Sequence, residues 1–238
     1  AHPDDEALLT AGTMARLSSE GHRVVLVLAT DGGAGLAADE LRTDGRLGGL
    51  RLTEARRSAQ ALGVARVEWL GYADSGSGPE PEPDGPGLVR FARAPVEEAA
   101  ERLAAILRTE RADLLLSYDA NGGYGHRDHV RVHVVGARAA VIAGTPRVLE
   151  ATVPRDTIVR AIRAVGRVHR FPAEFDPTSF ERAFTARADI THRIDVRGHV
   201  HAKRESMRAH ASQATGGGAA SVGECGQTGD RTLAAFLR

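Results

Sequence analysis

Arg23-Val24-Val25-Leu26-Val27-Leu28-Ala29-Thr30 is an unbroken β-branched and aliphatic run, followed at once by Asp31-Gly32-Gly33-Ala34-Gly35. A half-exposed strand alternates apolar and polar residues. A run that is apolar at every position suits a strand covered on both faces, as in a parallel sheet between two layers of helix. The flanking segments agree. Ala7 to Ser19 places Leu8, Ala11 and Ala15 at helical spacing, and Leu50 to Leu62 puts Leu52, Ala55, Ala59 and Leu62 on one stripe with Gly63 as its stop. Ala65 to Leu70 reads as a second strand, and Pro95 opens a helix to about Arg108. Leu114 to Tyr118 is a third strand, Asp128 to Ala143 a helix and Val148 to Val153 a fourth strand. This alternation predicts an α/β fold with a Rossmann-like, mostly parallel sheet and helices on both faces.

Beyond Pro154 the pattern weakens. An edge strand is expected over Ile190 to Val196 and a helix over Gly198 to Ala211, then a loop from Gly216-Gly217-Gly218 and a short terminal helix. At 238 residues the chain fits one domain spanning 1–238, with 154–238 its less regular part. Its first residues read as a strand-to-helix loop, so an N-terminal strand is expected ahead of Ala1. The Gly-, Pro- and acid-rich stretch from Ser75 to Gly87 reads as a long exposed loop.

Hydrophobic residues make up 42% of the chain and charged residues 26%, as in an ordinary globular domain. A formal net charge of zero gives no electrostatic footprint for nucleic acid or an anionic membrane. No apolar run approaches the length of a membrane span. Cys225 is the only cysteine, which rules out an intramolecular disulfide and a cysteine-ligated zinc cluster. A cytoplasmic protein is the expectation, with homo-oligomerisation left open.

Two segments carry the chemistry. The chain opens Ala1-His2-Pro3-Asp4-Asp5-Glu6, and a second cluster follows at His126-Arg127-Asp128-His129, just after the third strand. Both fall where open α/β sheets bind ligands, at the carboxyl ends of strands. A catalytic zinc wants three ligands from His, Asp, Glu or Cys and one open position for water. His2 and Asp5 supply a close pair and His129 a distant third. Asp4 is left over beside the metal, where a general base belongs. Of His126 and His129, one can bind metal while the other reaches the substrate, and His133, one turn further on, is a rival ligand. Asp128 can hold a histidine in one tautomer. Tyr124, among Gly122, Gly123 and Gly125, can donate to an oxyanion. A rival reading makes the chain a non-catalytic sugar- or nucleotide-binding module with Asp31 to Gly35 as a phosphate loop, although that glycine spacing does not match a dinucleotide fingerprint.

Ala1 to Glu6 together with Gly122-Gly123-Tyr124-Gly125-His126-Arg127-Asp128-His129 resembles the LmbE/PIG-L family of zinc-dependent de-N-acetylases. Further likeness lies in Arg51-Leu52-Thr53-Glu54-Ala55, in Gly71-Tyr72-Ala73-Asp74-Ser75-Gly76, and from Lys203 to His210-Ala211-Ser212-Gln213. The resemblance implies an LmbE-like fold, with His2, Asp5 and His129 as ligands of one Zn2+ per chain, Fe2+ being the alternative in the cell. It implies Asp4 as general base, His126 as oxyanion stabiliser oriented by Asp128, Tyr124 as a mobile contact to the carbonyl, and Arg51 and Asp74 as sugar-binding residues. The implied substrate is a small-molecule N-acetylated amino sugar, with a larger thiol- or sugar-conjugate amide as the alternative. Arg127 stands where the family often has proline.

Overall fold

The computed structural model describes residues 1–35, 45–171 and 176–214. A single π-helical turn, Glu6–Thr10, runs into helix α1 (Ala11–Ser19). Strand β1 (Val25–Thr30), helix α2 (Leu47–Ala61), strand β2 (Arg66–Tyr72), helix α3 (Val96–Glu110), strand β3 (Leu115–Tyr118), helix α4 (Arg127–Ala143) and strand β4 (Val148–Ala151) then alternate, as the hydrophobic pattern predicts. β1 pairs in parallel with β2, Val25 opposite Arg66 and Leu28 opposite Trp69; β3 pairs in parallel with β4, Leu115 opposite Val148. Among the described residues the strands therefore form two two-stranded parallel sheets, β1–β2 and β3–β4, and not the single sheet the alternation predicts, because no backbone pairing joins the two pairs. The Ala1 carbonyl reaches the end of β1, where it accepts the backbone N–H groups of Ala29 and Thr30, both at 3.1 Å.

The apolar run of β1 is explained by its two faces. Leu26 and Leu28 pack with Ala11, Met14 and Ala15 of α1 and with Ala55 and Ala59 of α2. Val27 and Ala29 turn the other way, into a cluster of Ala99, Ala100, Leu103, Ala104 and Leu107 from α3 and Val135 and Ala139 from α4. The two interiors are separate, and the strand between them has no face for a polar side chain. Of the two candidate segments, Ala1–Glu6 lies beside the carboxyl end of β1, and the loop to His126 leaves β3 at its carboxyl end.

The C-terminal part departs from expectation. Ile190 to Val196 is not a strand; it runs between single 3-10 turns at Arg187–Asp189 and Arg197–His199. Instead it crosses α1: the Arg16 guanidinium donates to the Asp195 carbonyl at 3.2 Å, and Val196 sits on Gly12. The alternation in 190–196 therefore marks a strap on a helix and not a sheet edge. Helix α5 (Arg155–Val165) is not among the elements expected from the sequence, and of its residues only Ile158 is buried. The helix expected over 198–211 spans α6 (Val200–Ala209) and α7 (Ala211–Ala214), broken at His210. The Gly216–Gly218 loop, the terminal helix and Cys225 lie outside the described residues. No helix among the described residues is long and apolar enough to cross a membrane.

A Cβ at Gly12 would lie 2.7 Å from the Cβ of Val196. Overpacking of this kind costs about 1–3 kcal/mol, against a helix-propensity gain of about 1 kcal/mol for alanine. Gly12→Ala is therefore expected to destabilise the protein in urea unfolding, and to stabilise it when Val196→Gly has cleared the contact. The same sign in both backgrounds would show that the strap does not pack on α1.

Candidate metal centre and active site

The N-terminal loop, beside the end of β1, and the β3–α4 loop, which follows the end of β3, meet through His2, Asp5 and His129. His126 is the N-cap of α4, and its Nδ1 accepts the backbone N–H of Asp128 at 3.2 Å. His129 stands in the first turn of the same helix and is almost wholly buried. The loop before it turns through Gly122, where φ is +61° and a Cβ would lie 2.5 Å from the Val130 nitrogen. Only glycine lets the loop fold this tightly onto the helix start. That fold brings the Gly122 carbonyl to His129.

Three side-chain atoms converge on one point. Asp5 Oδ2 lies 3.2 Å from His2 Nδ1 and 3.1 Å from His129 Nε2, and the two nitrogens are 3.3 Å apart. With metal–ligand distances of about 2.0–2.2 Å, the edge of a tetrahedron is about 3.3–3.6 Å, so this triangle is close to one face of a coordination shell. The outer nitrogen of each imidazole is occupied. His129 Nδ1–H donates to the Gly122 carbonyl at 3.2 Å, and His2 Nε2–H donates to Asp128 Oδ2 at 3.2 Å. These bonds leave lone pairs on the inner nitrogens facing each other and a carboxylate oxygen, an arrangement that needs a positive charge at its centre. Burial opposes that charge on His2, but Asp128, Asp5 and Asp74 outweigh it and hold the imidazole well above its ordinary pKa. A proton on His2 is thus the natural stand-in for a cation. The candidate ligand atoms of His2, His126 and His129 also lie within 4.8 Å of one another. The donor set therefore fits a divalent metal.

Asp4 stands beside this triangle in an unusual conformation. Its φ is +112°, a left-handed value for a residue with a Cβ, and such strain costs about 1–3 kcal/mol. The backbone is held by the Asp4 N–H donating to Glu6 Oε2 at 3.0 Å and by Arg51 donating to the preceding Pro3 carbonyl at 2.5 Å. The same guanidinium meets Asp4 Oδ2 at 3.0 Å and donates to the Gly32 carbonyl at 2.6 Å. Burial raises the Asp4 carboxyl to a pKa of about 6, although Arg51 pulls against it. Burial, with His2 beside it, pushes His126 down to about 4. At neutral pH His126 is then an uncharged ring whose Nδ1 is an acceptor and whose Nε2 carries the proton.

The other residues expected from the sequence fall into two groups. Tyr124 is 57% exposed, with its ring 5.0 Å from that of His129, and it reaches the site from the glycine loop. Asp128 is fully buried; its Oδ2 accepts from His2 and, at 2.9 Å, from the Ser75 N–H. It therefore orients His126 through its backbone N–H while its carboxylate serves His2. Asp74 is buried, 3.4 Å from His2 Nε2, and accepts the Gly76 N–H at 2.9 Å. Arg51 is buried with its terminal nitrogens turned inward to Pro3, Gly32 and Asp4. His133 points away, to the Tyr118 carbonyl at 3.2 Å and Glu150 at 3.1 Å, and does not join the triangle. The Asp31–Gly35 loop is filled from within: Asp31 Oδ1 accepts the Gly33 N–H at 3.0 Å, and Arg51 occupies the concavity at Gly32. An anion cradle would present free N–H groups there.

Two residues of the site escaped sequence reading. The Tyr118 ring stacks on His129 with centroids 4.5 Å apart. Asp119 is buried; it accepts the Gly123 N–H at 2.9 Å and the hydroxyls of Thr152 and Thr185 at 2.5 and 3.0 Å, anchoring the glycine loop from below. Their position at the end of β3 is the only signal the sequence offered.

Comparison with known proteins places this geometry in a family. Residues 1–140 match the family model PIG-L, described as GlcNAc-PI de-N-acetylase. A 1D-myo-inositol 2-acetamido-2-deoxy-alpha-D-glucopyranoside deacetylase of Thermobifida fusca is 37% identical, over 90% of this chain and 81% of its own length. The enzyme of the same name from Saccharomonospora viridis is 36% identical, over 91% of this chain and 84% of its own length. In fold the chain is similar to the N,N'-diacetylchitobiose deacetylase of Pyrococcus horikoshii, with a TM-score of 0.59, 22% identity, and coverage of 99% of this chain and 75% of that one. The chain belongs to the PIG-L family.

Proposed function

We propose that this protein hydrolyses the acetamide of an N-acetylated amino sugar carried in a small-molecule conjugate, with a divalent cation, zinc by expectation, held by His2, Asp5 and His129. The observation that carries the reading is the triangle of inner-facing donor atoms, 3.1–3.3 Å on its edges, with Asp4 beside it. The similarity to proteins named as deacetylases of a 2-acetamido-2-deoxyglucopyranoside conjugate supports the substrate class. When bound, the cation supplies Lewis acidity to the acetamide carbonyl and lowers the pKa of water.

The remaining work belongs to side chains. Asp4, aimed by Arg51, takes the proton of the attacking water. His126, uncharged and protonated on Nε2, donates to the oxygen that gains charge as the tetrahedral intermediate forms. Its pKa of about 4 suits a neutral N–H donor and not a proton source, so return of the proton to the leaving amine is assigned to Asp4. Tyr124 provides a second contact to the carbonyl from its glycine loop. Arg51 and Asp74 are assigned first to holding Asp4 and His2, because the terminal nitrogens of Arg51 and the Asp74 carboxylate are already engaged within the protein.

Purified protein loaded with zinc is expected to release acetate from N-acetylglucosaminyl-inositol. His126→Ala should lose about 10²–10³ in kcat while unfolding at nearly the wild-type denaturant concentration. No acetate release from any acetamido sugar by fully loaded protein would overturn the proposal.

Metal affinity is expected to weaken as pH falls below the raised pKa of His2, because His2 must shed a proton before its Nδ1 can act as a ligand. Competition with a chelator at several pH values reads this directly. An affinity that does not change with pH would exclude His2 as a ligand.

A further inference from the structure

The C-terminal stretch from Lys203 to Gln213 has no part in the chemistry above. It is bonded to the catalytic loop through Glu6. The Glu6 side chain is buried, and its two oxygens face opposite ways. Oε2 accepts the Asp4 N–H at 3.0 Å. Oε1 accepts the Ser58 hydroxyl at 2.6 Å and meets His210 Nε2 at 2.6 Å. Ser58, on α2, shares its hydroxyl with Ser206 of α6 at 2.7 Å. One turn earlier on α2, Glu54 accepts both the N–H and the hydroxyl of Ser212, at 2.8 and 2.6 Å. Lys203 donates to the Leu8 carbonyl at 2.8 Å, on the turn that follows Asp4 and Asp5.

Glu6, Ser58, Ser206 and His210 are all buried, so none of these bonds is weakened by competing water. The cluster is a poor choice for stability alone, since apolar side chains of the same volume would pack there without desolvating a carboxylate. What it supplies is direction. Asp4 has a left-handed backbone that a non-glycine residue leaves unless something holds it. The acceptor for its N–H is Glu6 Oε2, and Glu6 is itself fixed by Ser58 and His210.

We propose that Glu6, Ser58, Ser206 and His210 are positioning residues: the C-terminal helix, acting through Glu6, holds the Asp4 backbone in its left-handed conformation and so aims the carboxylate at the attacking water. The proposal rests on the reading of Asp4 as general base. The stretch is then part of the catalytic apparatus although it touches neither substrate nor cation.

The test is a set of variants in the metal-loaded, full-length protein, read by kcat, KM, metal content and unfolding midpoint. His210→Ala and Glu6→Leu are expected to lower kcat about 10- to 100-fold, the usual effect of a misplaced catalytic group, with KM and metal content unchanged. Glu6→Gln, which keeps an acceptor for the Asp4 N–H, should recover part of the loss. Ser206→Ala removes one hydroxyl and serves where His210→Ala does not fold. The deciding arm combines variants. Where Asp4→Asn has already removed the base, adding His210→Ala or Ser206→Ala should leave the residual rate unchanged, because the network acts through Asp4. An equal fold-loss in both backgrounds, or a loss confined to KM or metal content, would overturn the positioning role. Full turnover of Asp4→Asn would overturn the base assignment itself, which is a separate result.

Discussion

Two imidazoles and one carboxylate present lone pairs to the same small volume, and the rest of the site is arranged so that they cannot turn away. His129 is held by the Gly122 carbonyl and stacked under Tyr118; His2 is held by Asp128. Each of these restraints has its own support. Gly122 can approach His129 because it has no side chain, and Asp128 is fixed by the Ser75 N–H. Pairing like electrostatic ends at 3.1–3.3 Å is unfavourable in the absence of positive charge, and the protein accepts that because the same geometry is ready for a cation. Pre-organisation of this kind places the structural cost in folding and not in the reaction.

The sheet explains why two segments so far apart in sequence can meet. Parallel strands deliver their following loops to one edge; the loop to His126 follows β3, and Ala1–Glu6 lies beside the end of β1. The core does no chemistry, but it fixes the height at which the Glu6–Thr10 turn and α4 begin, and therefore the height of Asp5 and His129. His126, capping α4, takes its orientation from that helix. The first-turn geometry of a helix thus becomes the tautomer of an imidazole.

Much of this was legible in the sequence, for identifiable reasons. The run from Arg23 to Thr30 could only be a doubly covered strand, and the helix–strand alternation up to Ala151 followed from periodicity. His2, Asp5 and His129, which the structure brings together, stood out as candidates because metal ligands are drawn from few residue types at short spacings. Roles that depend on direction were not legible. Asp128 was expected to orient His126 by its side chain, whereas it does so by its N–H and gives its carboxylate to His2. Arg51 looked like a residue for substrate, yet its terminal nitrogens face Pro3, Gly32 and Asp4. Glu6, to which the sequence assigns no role, is a buried junction. The segment from Ile190 to Val196 has the alternation of a strand, but the element it packs on is a helix. No local pattern encodes which partner an alternating segment will find.

The most direct test of the central claim is the position of the cation itself. Anomalous diffraction at the zinc edge, from crystals of protein loaded with one equivalent of zinc, should give a single peak about 2.0–2.2 Å from His2 Nδ1, Asp5 Oδ2 and His129 Nε2. A peak bound by any other set of side chains, or one that leaves out His2 or His129, would contradict the account.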